Sequence, residues 1–256
     1  MTQYDYAELT NLAHRLAFEA GEVILRLYGP NIDVQRKADA SPVTEADEAA
    51  DALIVAGLIR GAPKIPIISE ESVSHDNLPD LSGGRFWLVD PLDGTKEFIA
   101  GTDEFTVNIA LIENGCPVLG ALHAPALGAS YLADGKGAFL IAKDNSRAPI
   151  HARSLPPEGA VFVASRSHRD AETDDFISRH RTASVTSAGS SLKFGLLAKG
   201  EADLYPSFGR TMEWDTAAGH AVLAAAGGSV TCIDGTPLRY GKPGLDNPAF
   251  VARGVT

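Results

Sequence analysis

Apolar positions recur every three to four residues in two early stretches of the chain, which is the spacing of a helix with one buried face. The first stretch spans residues 6–27, where Leu9, Leu16 and Ile24 share that face, and Gly29-Pro30 ends it. A second predicted helix begins at Thr44 and runs to about residue 60. The pattern therefore predicts that the chain opens with two amphipathic helices.

Shorter apolar runs of β-type composition make up most of the remainder, separated by turn residues such as Asn114-Gly115. Strands are predicted at residues 33–37, 65–68, 87–90, 105–112, 117–124, 129–133, 138–142, 160–164, 184–186, 202–205, 229–233 and 248–252. Helices are predicted at residues 95 onward, 169–180, from Ser190 or Ser191 to 199, and from 213 onward. This order predicts a mixed α/β protein in which an antiparallel meander precedes an alternating α/β half.

The polar, proline-containing stretch at residues 144–157 is the predicted boundary between two halves. The first half, residues 1–148, carries most of the acidic residues discussed below, and the second, residues 149–256, carries Asp215.

The composition narrows the classes of function. The 256-residue chain has a formal net charge of −11, which argues against a general binder of nucleic acids or anionic membranes. A small phosphorylated substrate stays compatible, because bound divalent cations can invert the charge of a local site. The two cysteines, Cys116 and Cys232, lack metal-ligand spacing and favour a reducing cytoplasm, with one disulfide left open. No signal peptide or transmembrane segment is predicted.

One short stretch concentrates the candidate chemistry. The strand at residues 87–90 ends in Asp90, Pro91 interrupts regular pairing, and Asp93 follows before the turn residue Gly94 and the helix-opening Thr95. Two carboxylates next to a helix N-terminus are suited to a cation that holds a phosphate. On its own, however, the stretch is better explained as a strand, a turn and a capping aspartate.

Three other acidic residues lie at predicted element ends. Glu70 follows a strand, with Glu71 interpreted as its solvated neighbour, and Asp215 opens a helix. Asp47 has capping-box spacing from Thr44, so it has a structural explanation as well. Oxygen ligands without histidine or cysteine favour Mg²⁺, and the residues alone predict a metal-dependent enzyme acting on phosphate esters.

These motifs resemble the inositol monophosphatase superfamily. The matching stretches are residues 70–72, 90–95 and 214–219, in the family's order. Within the superfamily, the chain is similar to 3′(2′),5′-bisphosphate nucleotidases of the CysQ type, through residues 93–99, 165–168, 189–194, 202–206 and 213–215. The resemblance implies a layered αβαβα sandwich of the sugar-phosphatase fold.

The resemblance also implies roles for individual residues. Two or three Mg²⁺ ions are expected on the ligands Glu70, Asp90, the carbonyl of Leu92, Asp93 and Asp215. Asp47, Thr95 and Glu70 form the expected catalytic set, with Thr95 activating the attacking water. The substrate-binding set is Asp93, Gly94, Thr95, His168, Ser190, Lys193 and Asp215.

Three positions on the nucleotide side leave alternatives open. Lys193 is also explained as an exposed helix lysine, and His168 as a loop histidine without a ligand. Ser207 departs from related nucleotidases, which often place arginine after Tyr-Pro, and Arg210 lies close enough in the chain to substitute.

The activity implied by the resemblance is hydrolysis of adenosine 3′,5′-bisphosphate (PAP) to AMP, with 3′-phosphoadenylyl sulfate (PAPS) as a second substrate and Li⁺ as an inhibitor. An inositol-1-phosphate or histidinol-phosphate phosphatase is the alternative within the superfamily, and a non-catalytic metal- or nucleotide-binding regulator the alternative outside it. The expected partner is a small nucleotide rather than a nucleic-acid polymer. A cytoplasmic monomer is favoured over a dimer, and the resemblance also allows peripheral association with the inner membrane.

Overall fold

The computed structural model describes residues 5–29, 34–36, 42–72, 78–167 and 169–255. The helices in this part of the chain are α1 (Tyr6–Leu27), α2 (Glu45–Gly61), α3 (Thr95–Ala100), α4 (Ala171–Ser178), α5 (Leu192–Ala198) and α6 (Glu213–Ala225). The two predicted N-terminal helices are confirmed. None of the helices described is both long and apolar enough to cross a membrane.

A seven-stranded sheet runs in strictly sequential order. Its strands are β3 (Ile67–Ser69), β4 (Arg85–Asp93), β5 (Thr106–Glu113), β6 (Cys116–Ala124), β7 (Ala129–Ala133), β8 (Ala138–Ile141) and β9 (Arg147–Ile150). Only β3 and β4 pair in parallel, and every later neighbour is antiparallel, which confirms the predicted meander. The strand β9 lies in the polar stretch at 144–157, and the proposed division at 148/149 falls within it.

A second, five-stranded sheet has the order β11-β10-β12-β16-β14. These strands are β10 (Ala160–Ser165), β11 (Thr182–Ala188), β12 (Leu204–Ser207), β14 (Ser229–Cys232) and β16 (Phe250–Arg253). Two short ribbons complete the structure, β1 (Val34–Arg36) with β2 (Pro42–Thr44), and β13 (Thr211–Met212) with β15 (Asp246–Asn247). The sequence pattern predicted β1 but not β2, β9, β13 or β15, because strands of two to four residues are too short to show a periodicity.

Three apolar cores hold the five layers of the fold together. One core joins α1 and α2 to the seven-stranded sheet, and a second joins the other face of that sheet to α5, α6 and the five-stranded sheet. A third, smaller core packs α4 against the outer face of the five-stranded sheet through Phe162, Ile177 and Leu204. The predicted αβαβα sandwich is therefore confirmed, and α6 lies in its middle layer between the two sheets.

Close packing of α6 depends on a glycine in the facing strand. A Cβ atom added to Gly120 of β6 would lie 2.5 Å from the carbonyl oxygen of Ala218 and 2.9 Å from the Cβ of Ala221. Neither contact is to a flexible side-chain end, so helix and sheet would have to move apart. This matters for function because α6 carries Asp215.

We expect Gly120→Ala to destabilise the protein by about 1–3 kcal/mol, because the added methyl overpacks the interface between α6 and the sheet. Chemical denaturation monitored by circular dichroism measures the free energy of unfolding. Gly83→Ala is the matched control, since nothing lies within 4 Å of a Cβ built there. Equal stability of the two variants would contradict the packing argument.

Candidate active site

A bulge in β4 aims two aspartates at the same space. Asp90 pairs with Asn108 and Asp93 with Thr106, so β4 has one residue more than β5 between the two pairs. Pro91 supplies no N–H for the ladder, which suits it to a bulge. The Asp90 carboxylate, only 1% exposed, accepts the Leu92 N–H at 3.1 Å. The bulge thus fixes the two acids and turns the Leu92 region out of regular pairing.

Gly94 makes the turn from β4 into α3. Its φ of +91° lies in the left-handed region, and a Cβ there would meet the Glu104 carbonyl at 3.1 Å and Ser190 at 3.2 Å. Glycine is therefore required on both conformational and steric grounds. The Thr95 N–H follows directly, at the start of α3, where the first N–H groups have no partner within the helix.

Asp47 makes the contacts that both interpretations of its sequence position require. Its Oδ2 accepts the N–H of Thr44 at 2.7 Å and the Thr44 hydroxyl at 2.6 Å, which completes the predicted capping box of α2. Its Oδ1 accepts the Thr95 hydroxyl at 3.2 Å. The capping contacts immobilise the carboxylate, and its second oxygen is left facing Thr95.

Glu70 and Asp215 reach the site from two further elements. The parallel pairing of β3 with β4 continues through the Glu70 N–H, which donates to the carbonyl of Val89 at 3.1 Å. Glu70 and Asp90 therefore come directly after the paired residues Ser69 and Val89 on neighbouring strands, as predicted. Asp215 occupies the third position of α6 and accepts the Met212 N–H at 2.8 Å. Asp47 and Asp215 are thus held by the same device, an acid at the third position of a helix.

The acids raise one another's pKa values. Burial is the main cause at Asp90, followed by the charges of Glu70, Asp93 and Asp215, and the pKa lies well above its usual range. Burial and the charges of Asp93 and Glu70 likewise hold the pKa of Asp215 well above that range. The pKa of Asp93 is also raised, chiefly by burial, with Lys193 and Ser191 opposing. The site therefore has an excess of buried negative charge.

Ser191 is a site residue that sequence reasoning missed. Its N–H and hydroxyl bind the Asp93 Oδ2 at 2.6 and 2.7 Å, and its Oγ also contacts the carbonyl of Asp215. Asn108 adds its side-chain amide, 3.0 Å from the Ser191 Oγ and 3.4 Å from Asp93. The predicted capping by Ser190 or Ser191 is confirmed: Ser191 is the N-cap residue of α5, and the Ser190 Oγ accepts the Leu192 N–H at 3.4 Å, while the Ser191 side chain makes no capping bond. The signal in the sequence that could have identified Ser191 was the pair Ser190-Ser191 directly before a predicted helix.

Lys193 is buried, so its interpretation as an exposed helix lysine is wrong. It is 5% exposed, and its ammonium donates to the Ser190 carbonyl at 2.5 Å and lies 5.1 Å from the centre of the Tyr205 ring. Burial lowers its pKa, while Asp93 and three other acids raise it. Ser190 itself has a φ of +47°, a strained backbone conformation in the left-handed region. Its carbonyl oxygen accepts the hydrogen bond from this ammonium.

One residue of the motif at residues 165–168, Arg166, has a structural role. Arg166 forms a two-pronged ion pair with Glu104 at 2.7 and 2.8 Å, and Glu104 also accepts the Gly189 N–H at 2.7 Å. This chain of contacts fixes the loop that carries Ser190. His168 lies outside the described residues, so its role stays a prediction.

A cleft of about 290 Å³ joins these groups. Its lining contains Glu70, Asp90, Leu92, Asp93, Gly94, Thr95, Ser190, Ser191, Lys193 and Asp215. Asp47 is not in this lining but contacts Thr95, and Ser207 and Arg210 are further residues of the lining. The structure thus brings together all of the predicted site residues that it describes.

The pattern of the inositol monophosphatase family matches residues 5–253. The chain belongs to this family. It is 47% identical over 239 residues to the 3′(2′),5′-bisphosphate nucleotidase CysQ of Shigella flexneri, covering 92% of this chain and 96% of that protein. The protein of the same name from Escherichia coli K12 is 46% identical with the same coverage.

Solved structures of family members have the same fold. CysQ from Bacteroides thetaiotaomicron superposes with a TM-score of 0.82 at 37% identity, covering 98% of each chain. An IMPase from Thermotoga maritima gives a TM-score of 0.77 at 29% identity, covering 95% of this chain and 91% of that one. The family and the layered fold expected from the motifs are confirmed.

The donor set fits the metal dependence expected in this family. Carboxylate and carbonyl oxygens face one cleft, and their raised pKa values record repulsion that a divalent cation relieves. Within the described ranges, no three acidic, histidine or cysteine side chains form a complete metal-binding group by themselves. The oxygen-only character of the cleft donors is what suits Mg²⁺, which commonly takes one or two carboxylates together with water and substrate phosphate.

We expect Asp90→Asn to raise the melting temperature of the metal-free protein at pH 7, because the amide keeps the shape and removes a buried charge. The gain is about 2–4 °C for each kcal/mol of repulsion relieved. The sign follows from linkage: a carboxyl with a raised native pKa loses its stabilising contribution as the pH rises from the unfolded value through the native one. Wild type should therefore lose more stability than Asp90→Asn over that rise.

Differential scanning fluorimetry in chelator at several pH values measures both effects. Glu45→Gln is a control, since Glu45 is an exposed acid in the first turn of α2. A lower metal-free melting temperature for Asp90→Asn than for wild type would contradict the repulsion argument.

Proposed function

We propose that this family member is a Mg²⁺-dependent 3′(2′),5′-bisphosphate nucleotidase that hydrolyses the 3′-phosphate of PAP, giving AMP and phosphate. PAPS is the proposed second substrate. One observation carries the proposal: a buried ammonium, that of Lys193, lines the same cleft as the cluster of acids. The relatives named as bisphosphate nucleotidases, 46–47% identical over most of the chain, support it.

Glu70, Asp90, the Leu92 carbonyl, Asp93 and Asp215 are the proposed holders of two or three Mg²⁺ ions. When bound, these ions supply charge neutralisation for the phosphate and lower the pKa of water. Glu70 has a second proposed task, orienting the attacking water from the end of β3. The protein's own contribution is to hold each carboxylate rigidly through N–H groups, such as those of Leu92, Ser191 and Met212.

Thr95 is the proposed activator of water. Its Oγ accepts a hydrogen bond from the water while its own proton points to Asp47 Oδ1, 3.2 Å away. As the water attacks phosphorus, its proton passes to the Thr95 Oγ and the threonine proton passes to Asp47, while the bond from phosphorus to the 3′-oxygen breaks and that oxygen takes up a proton from solvent water. Asp47 is suited to this because its other oxygen is already held by two bonds from Thr44.

The N–H groups of Gly94 and Thr95 are proposed to bind the scissile phosphate. They lie where the chain turns from β4 into α3, and the first turn of a helix has N–H groups free for an anion. Asp93 and Asp215 would contact the phosphate through the ions that they would hold.

The nucleotide is proposed to extend towards Ser190, Lys193 and Phe208, all in the cleft lining. Lys193 supplies positive charge away from the acid-bound ions. The half-buried Phe208 ring, whose centre is 5.8 Å from that of Phe176, offers a face on which a base can stack. His168 is retained as a proposed contact on the same side.

The proposed state of the protein is a cytoplasmic monomer, with peripheral association with the inner membrane as its alternative.

The test is phosphate release from PAP, inositol-1-phosphate, histidinol phosphate and fructose 1,6-bisphosphate, with Mg²⁺ and with chelator. We expect the largest kcat/KM for PAP and no turnover in chelator. Preference for any of the other three substrates would contradict the substrate assignment and leave the family intact. Absence of Mg²⁺-dependent turnover on the whole panel would instead favour a non-catalytic binding protein.

Thr95→Ala is expected to lower kcat for PAP by about 100- to 10,000-fold, the usual contribution of a positioned proton acceptor. Thr95→Ser keeps the hydroxyl and should retain most of the activity. The KM of both variants should change little, because the backbone N–H of residue 95 is kept. If serine and alanine lower kcat equally, the hydroxyl does not activate the water.

A further inference from the structure

We propose that Arg210 binds the second, non-scissile phosphate of the substrate, exchanging its ion pair with Asp246 for that phosphate. The inference deepens the function proposed above and rests on it. It identifies a specificity-determining side chain in the lining of the cleft, and an acid that competes with the substrate for it.

The positive charges of the cleft are unequally placed. The cationic side chains in its described lining are Lys96, Lys193 and Arg210. Lys96 follows Thr95 directly and so belongs to the scissile end. Lys193 is surrounded by Asp93, Glu97, Glu104 and Asp215, so much of its charge is already offset by the protein's own acids. Arg210 is the third cation of the lining, and it belongs to a separate segment, directly before β13.

The chain around Arg210 is fixed relative to the acids. Arg210 precedes β13, which pairs with β15, and the Asn247 side-chain amide donates to the Met212 carbonyl at 2.7 Å. The Met212 N–H in turn donates to Asp215 at 2.8 Å. The ribbon of β13 and β15 therefore holds the backbone next to Arg210 in a fixed position relative to Asp215, a proposed metal ligand. A substrate with two phosphates needs such a fixed separation between its two binding points.

The Arg210 side chain, in contrast, is easily released. Its Nε lies 3.0 Å from Asp246 Oδ1, and the two side chains are 65% and 53% exposed. Exposed pairs of this kind contribute little to stability, because water screens them. A phosphate offers the guanidinium two parallel charge-assisted hydrogen bonds and more charge than one carboxylate. The exchange of Asp246 for phosphate is therefore favourable.

The neighbouring positions leave this task to Arg210. Ser207, at the end of β12, is nearly buried and carries no charge, and Tyr205 hydrogen-bonds to it. Gly209 has open space beside it, since the nearest atom to a built Cβ is an Asp170 oxygen at 3.8 Å. The segment thus leaves room for a ligand and provides one flexible cation to meet it.

The test compares PAP with adenosine 3′-monophosphate, which has the scissile phosphate but lacks the second one. Arg210→Ala should raise KM for PAP by about 10- to 100-fold, the range for hydrogen bonds to a charged group, with little change in kcat. For the monophosphate, KM should stay within about twofold of wild type. Asp246→Asn should act in the opposite direction and lower KM for PAP, because it removes the competing anion.

Arg179→Ala is the matched control, since Arg179 is an exposed arginine paired with Asp175 on α4, and it should match wild type on both substrates. Equal effects of Arg210→Ala on the two substrates, or no effect on either, would overturn the proposal. So would a higher KM for PAP in Asp246→Asn.

A binding measurement separates this proposal from the proposed function. Calorimetric titration with AMP, which retains the 5′-phosphate, needs no turnover. We expect Arg210→Ala to weaken AMP binding by about tenfold and adenosine binding not at all. Unchanged AMP binding would overturn the role of Arg210 even if PAP is hydrolysed, whereas weakened AMP binding would support it even if another phosphate ester is the preferred substrate.

Discussion

The structure depends on confining several carboxylates in one partly buried cleft without enough cationic side chains to neutralise them. Neutral N–H donors do most of the holding. Asp90 uses the N–H of Leu92, Asp93 that of Ser191, and Asp215 that of Met212. Backbone donors fix an oxygen's position without cancelling its charge, and the raised pKa values of these three acids record the charge that remains. A site built in this way is preorganised for a cation brought by solvent or substrate.

The layers of the fold explain how residues so distant in sequence meet. The bulge in β4 and the parallel strand β3 deliver Asp90, Asp93 and Glu70 from one sheet, while α6 delivers Asp215 from the layer between the sheets. The helices of that middle layer pack closely against their neighbours because glycines leave room at the contacts. A Cβ on Gly219 would lie 2.4–2.6 Å from side-chain atoms of Phe194, and Gly120 faces the backbone of α6. Substitutions at these positions alter the site without touching it.

The sequence predicted what is local and left out what is long-range. The helix from Tyr6 to Leu27 is confirmed residue by residue, because its periodicity is strong and Asp5 and Gly29-Pro30 bound it. The acidic set was found because its members sit at element ends that motifs mark. Ser191 was missed because its contact with Asp93 joins residues 98 apart. The burial of Lys193 was equally unreadable, since α5 has only seven residues and packs between two sheets.

The geometry at Thr95 links the proposed cation site to the proposed water activation. The hydroxyl has one proton and two acceptors at nearly equal distance, Asp47 Oδ1 at 3.2 Å and the carbonyl of Leu92 at 3.3 Å. A proton given to Leu92 leaves Asp47 unable to receive it during the reaction. The Leu92 carbonyl is also a proposed cation ligand, and an oxygen that faces a cation is a poor acceptor for the threonine. Occupation of the proposed cation site would therefore favour the orientation in which Thr95 donates to Asp47, and the proposed water activation would depend on the same cation that the phosphate needs.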